Sequence, residues 1–131
     1  MSNWTHVAGI MRIDDIRPFH PDKEVNFDDV IGREVNYNDP EDIWADADFH
    51  PERYLPMGSE GSLHKHIWIN SDINCMAAYT ISVFGDLRDH DNADEIINWF
   101  REKCDNLAIR NAVITVENES YGSKTYTYTK E

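Results

Sequence analysis

The chain has 131 residues, 40 % of them hydrophobic, which suffices for one domain with a real core. Its 25 carboxylates against 12 lysines and arginines leave a net charge of −13. That charge repels DNA, RNA and anionic membrane surfaces, and it favours solubility and basic partners.

Residues 4–13 read as a strand, with Val7, Met11 and Ile13 on one face at period two. From 14 to 61 the regular pattern is lost. Residues 14–60 hold 14 of the 25 carboxylates and four of the 12 basic residues, a net −10. They also hold Phe19, Phe27, Tyr37, Trp44, Phe49 and Tyr54. A disordered acidic tail is poor in such residues because it buries nothing, so this excursion should fold onto the rest. Short helical starts punctuate it. Phe27-Asp28-Asp29-Val30-Ile31 forms one turn, stopped by Gly32. Asp39 caps another, with Pro40 first and Glu41 and Asp42 in its first turn. Phe19-His20-Pro21-Asp22-Lys23 and Phe49-His50-Pro51-Glu52-Arg53 share one pattern, read as a turn entering a short helix with proline at its start. Two such matches do not make a repeat architecture.

Residues 63–70 are a strand, 70–74 a turn rich in side chains that bond their own backbone, and 76–84 the return strand. Ala77, Tyr79, Ile81 and Val83 share one face of that strand. Asp91 or Asn92 then caps an amphipathic helix over 92–107. Its stripe is Ala93, Ile96, Ile97, Phe100, Cys104 and Leu107. Residues 112–117 and 124–129 are the last two strands, with Tyr126 and Tyr128 on one face of the second and threonines on the other.

The order predicts a single α+β domain over 1–131, with an antiparallel sheet of about five strands and one long helix. If the excursion supplies one packed helix, the order becomes the ferredoxin-like split βαβ plus a C-terminal strand. The long helix covers one sheet face and leaves the other for the excursion or a partner. Cys75 and Cys104 make neither a disulfide framework nor a zinc site, and Cys104 reads as a buried free thiol. A reduced, cytoplasmic setting is expected. The N-terminus lacks a signal-peptide pattern, and no stretch approaches the roughly 18 apolar residues of a membrane span.

Several constellations could carry chemistry. On a strand, His64 and His66 point the same way about 6.5–7 Å apart, close enough to share a metal or to act as acid and base. A third ligand would come from His20, His50 or His90 or from one of the many carboxylates, and no further family spacing supports the pair. Asp86, Asp89, Asp91 and Asp94 cluster, but they do not fit an EF-hand loop. Gly58-Ser59-Glu60-Gly61-Ser62 could offer backbone N–H groups to an anion, although it lacks the ending of a P-loop. No serine sits in a nucleophile elbow. The net −10 of the acidic block equals the charge on about 17 Å of DNA duplex.

The first expectation is therefore a non-enzymatic acidic binding protein without a cofactor. It would inhibit a partner by docking on a basic surface, as a nucleic-acid mimic does. In size and charge the chain resembles small acidic inhibitors encoded by phages. Asp39, Glu41, Asp42, Trp44, Asp46 and Asp48 are its densest stretch and its expected contacts, with Phe49 and Tyr54 as further anchors. A second reading is a protein that binds or sequesters a small ligand or nucleotide. Its pocket would lie near Gly58, Ser59, Gly61, His64 and His66, completed by a second subunit through the Tyr126/Tyr128 edge. A third is a metal-dependent enzyme using His64 and His66.

Overall fold

Strand β1 (Trp4–Asp14) buries Val7, Met11 and Ile13 and exposes His6, Ala8, Ile10 and Arg12, because successive side chains of a strand point to opposite faces. In this computed structural model the described residues are 3–14, 27–34, 50–69, 77–90 and 92–128. After β1 come a single helical turn α1 (Phe27–Val30), β2 (His64–Ile69), β3 (Ala77–Arg88), α2 (Ala93–Asp105), β4 (Ile109–Asn118) and β5 (Gly122–Tyr128). The five strands form one sheet in the order β2-β3-β1-β4-β5, every neighbouring pair antiparallel. The protein is thus α+β, with one five-stranded antiparallel sheet and one long helix.

The strand alternation selects the core face. Ile81, Val83 and Leu87 of β3 and Ile114 and Val116 of β4 are fully buried with Met11. Asn92 caps α2, its side chain accepting from the Glu95 N–H at 3.2 Å. From α2, Ile96, Phe100 and Cys104 press onto the sheet, and all three are fully buried. Burial pushes the Cys104 thiol up to about 12, with help from the Asp105 charge, so it stays protonated. No described helix is long and apolar enough to cross a membrane.

The described parts of the excursion lie beside α2, on the same face of the sheet. Ile31, Leu55 and Leu63 join the core cluster of Ile81, Val83 and Ile96. Phe27 meets Tyr79 edge-on, with ring centroids 5.3 Å apart. Lys65 points to this side as well. Its ammonium donates to Asp28 and, at 2.6 Å, to the Gly32 carbonyl, and its side chain is only 8 % exposed. Its backbone N–H donates to Glu34 Oε1 at 2.7 Å.

The opposite face was expected to be left for the excursion or a partner, and the first of these is corrected for the described residues. The reason is width. Five strands about 4.8 Å apart span roughly 24 Å, and one helix about 10 Å across leaves the β2–β3 half of the apolar face bare. Residues 27–34 and 54–63 close that half. Between β1 and β2 the described residues contain α1 and a 3₁₀ turn, Pro51–Arg53; no packed helix for the split βαβ order is among them. The turn expected at 70–74 and the helical start at Asp39 lie outside the described residues.

Candidate active site

The strand-end turn after β3 sets up a cleft. Asp89 adopts the left-handed backbone conformation with φ 57°, which Asp tolerates better than most residues, and its N–H donates to the Asn3 carbonyl at 2.6 Å. The chain is thereby turned toward α2 at His90. The His90 carbonyl is held by the hydroxyl of Thr5, which also accepts from the Asn118 amide at 2.9 Å.

The facing wall comes from the excursion. Leu55 N–H donates to the Arg33 carbonyl at 2.9 Å and Leu63 N–H to the Pro56 carbonyl at 3.0 Å, which fixes residues 54–57 across from the first turns of α2. Between them is a cavity of about 210 Å³. Residues 54–57 line one side, and His90, Glu95, Ile96 and Trp99 the other. Trp99 is braced by Phe100, their ring centroids 6.5 Å apart. His90 Nδ1 and Trp99 Nε1 are buried with no hydrogen-bond partner among the described residues. Leaving such an atom unpaired costs about 1–3 kcal/mol.

The glycine loop expected to hold an anion is used otherwise. Gly58 N–H donates to the Gly61 carbonyl at 3.0 Å and Ser59 N–H to the Arg88 carbonyl at 2.9 Å. Arg88 N–H returns a bond to the Glu60 carbonyl at 2.9 Å. A Cβ on Gly58 or Gly61 would overlap the carbonyl of Arg88 or Asp86. The glycines allow this close approach to β3, and both N–H groups are already bonded, that of Gly58 within the loop and that of Ser59 to β3.

His64 and His66 do share a face, but it is the face away from the core, and both are exposed. His64 lies beside Phe84, ring centroids 5.8 Å apart, and 3.6 Å from a Glu34 oxygen. Neither borders the cavity. Among the described residues no three His, Cys, Asp or Glu side chains are grouped to hold a metal ion. The acids after β3 diverge: Asp86 bonds His6 Nδ1 at 2.6 Å, Asp89 accepts from Ser59 at 3.1 Å, and Asp94 pairs with Lys124 at 3.0 Å. The hydrogen bond that His6 donates to the Asp86 carboxylate raises the His6 pKa, and the nearby Glu119 and Glu117 charges add to it.

Of the expected docking residues, Asp39, Glu41, Asp42, Trp44, Asp46, Asp48 and Phe49 lie outside the described residues. Tyr54 is 7 % exposed and forms part of the cavity wall. His90 entered the sequence reading only as a spare metal ligand, and Trp99 did not enter at all. Its one signal is a position three residues beyond Ile96, on the flank of the apolar stripe.

No protein-family model and no curated protein matches the sequence. Among solved structures the chain is similar to a phage SAM lyase in complex with S-methyl-5′-thioadenosine. The TM-score is 0.48 and the identity 6 %, over 98 % of this chain and 91 % of that one. That protein is an enzyme, which points against the expectation of a non-enzymatic acidic binding protein. The likeness is one of outline, and no activity comes across from it.

Proposed function

We propose that the cleft between residues 54–57 and α2 is a small-molecule site, with His90 as its acid–base group and Trp99 as its hydrogen-bond donor. The observation that carries this reading is that two rings lining one cavity, those of His90 and Trp99, each hold a buried nitrogen with no partner among the described residues. Apolar walls with a few convergent polar atoms are the usual make-up of a ligand site. Histidine is the side chain most often used to pass a proton to or from a reacting group.

The dimensions narrow the ligand class. A volume of about 210 Å³ is roughly seven waters at about 30 Å³ each, below the usual ~300 Å³ of drug-sized pockets. One or two fused rings fill it. The exposed Glu95 carboxylate at the rim disfavours an anion. A neutral or cationic heterocycle with an acceptor for Trp99 Nε1 fits these terms. The ferredoxin-like topology belongs to the same reading, supported by the strand order β2-β3-β1-β4. So does a reduced, cytoplasmic setting, supported by the free Cys104.

The test is a titration of ¹⁵N-labelled protein with adenine, cytosine and S-methyl-5′-thioadenosine, following the Trp99 indole N–H resonance. At least one probe should move that resonance saturably. Trp99→Phe, which keeps the ring and removes the donor, should weaken that binding about 2- to 10-fold, the worth of one hydrogen bond. A Trp99 signal indifferent to all three probes at millimolar concentration would sink the proposal.

A further inference from the structure

The face of the sheet opposite α2 has no described element on it, and its side chains follow a pattern of their own. Ile10 and Phe84 are each 46 % exposed there and Val113 is 40 % exposed. Cross-strand pairing sets the rows. Ala8 pairs with Phe84 and Thr115, and Ile10 with Ser82 and Val113; Thr125 and Thr127 extend the two rows onto β5. The next row holds Arg12, Thr80 and Asn111. Across these three rows the described residues include no carboxylate. Eleven of the 25 carboxylates lie outside residues 14–60, and none of them falls in these rows. Large apolar side chains grouped on an exposed sheet face are a common feature of interaction surfaces.

We infer that this face is the contact surface of a homodimer, two copies packing sheet against sheet. Three observations select a second copy as the occupant. First, every strand lies within residues 4–14 or 64–128, and outside the acidic block at 14–60 the chain carries only −3 of its −13. Two copies therefore meet through their least charged parts. Secondly, the face is polar in the electrical sense along the strands. Arg12 stands at one end, and Asp86 and Glu117 flank His6 at the other. A two-fold axis running across the strands, between the Ala8 and Ile10 rows, places each Arg12 over the acidic end of the opposite copy. The same axis sets large residues against small ones: Phe84 against Ser82, Ile10 against Ala8, Val113 against Thr115. A shallow groove of about 390 Å³ beside Ile10, Arg12 and Thr127 leaves room for them to interdigitate. Thirdly, the area suffices. Five strands and seven residues of strand length make a plane of roughly 24 by 20 Å, about 500 Å² per copy. Both copies together reach about 1,000 Å², the lower limit for a specific interface. Sheets packed in this way lie about 10 Å apart with strands within about 30° of each other.

Sedimentation velocity of the full chain tests this. At tens of micromolar the wild type should sediment at twice the 15.3 kDa chain mass. Ile10→Glu sits at an exposed position, so it should leave the far-ultraviolet circular dichroism unchanged and give a monomer. Arg12→Glu should raise the dissociation constant at least about tenfold, a usual size for a close interfacial charge pair. Adding Glu117→Arg to Arg12→Glu should restore most of that loss, which a merely structural role for either residue would not produce. A wild type that stays monomeric up to about half a millimolar overturns the inference and leaves the face to a different partner. An oligomer that survives both Ile10→Glu and Arg12→Glu in folded protein also overturns it.

Discussion

The two faces of the sheet are built from the same strands, residue by residue in alternation, yet they obey different rules. The face toward α2 is mostly aliphatic, with Val7, Met11, Ile81, Val83, Ile114 and Val116 buried, and its polar groups are partnered: Asn118 and Thr5 bond each other beside the His90 carbonyl, and Lys65 bonds the excursion. The opposite face mixes Thr, Ser, His and Arg with a few large apolar side chains at its middle. The comparison shows that burial demands uniform chemistry and close volume matching. A surface that meets a partner only part of the time keeps enough polarity to stand in water alone.

The sharpest way to break the comparison is to truncate one residue on each side. Phe100→Ala empties a fully buried site under the sheet and should cost about 3–5 kcal/mol in a urea titration. Ile10→Ala, read by fluorescence at submicromolar protein, should fall within about 0.5–1 kcal/mol, as surface changes usually do. Equal losses would mean that the outer face is covered within the single chain. A middle-sized effect is expected at the join between excursion and sheet. Lys65→Met removes the donors to Asp28 and to the Gly32 carbonyl and should cost about 1–3 kcal/mol, because the carbonyl loses a charged partner. No loss would mean that residues 27–34 are held by their apolar contacts alone.

The smallest effect belongs to the outer face. Asp86 raises the His6 pKa above 6.5, so His6 contributes stability that is fully present below pH 6.5 and fades as pH rises through the raised value. His6→Ala should therefore lower the melting temperature at pH 5.5 and leave it unchanged at pH 9. The effect should be slight, since the His6 side chain is half exposed and screened. A difference that grows with pH would contradict the pairing.

The strands and the long helix were legible because their signals are local. Period two in residues 4–13 and period 3.6 from Ala93 onward need no knowledge of the rest of the chain, and Gly32 stops α1 as its position implies. Lys65 shows where locality ends. Between two histidines it reads as one more solvated charge, yet it points inward, because Asp28 and Gly32 arrive from more than thirty residues earlier to receive it. The site was hidden for the same reason. His90 and Trp99 are nine residues apart on a turn and a helix, and both line the side of the cavity opposite residues 54–57. No short motif encodes that meeting. The functional expectation failed differently: it rested on bulk charge, which bounds solubility and partners but specifies no chemistry.

The loop at Gly58–Ser62 follows directly after one wall of the cleft and is bonded to Arg88, two residues before the other wall begins. Both jaws are therefore clamped to a single strand end, like the fixed prongs of a gauge. Such a cleft cannot widen for a bulkier guest without breaking the bond from the Ser59 N–H to the Arg88 carbonyl of β3. It should sort molecules by thickness, admitting flat rings quickly and excluding puckered or branched ones outright, in the manner of a sieve.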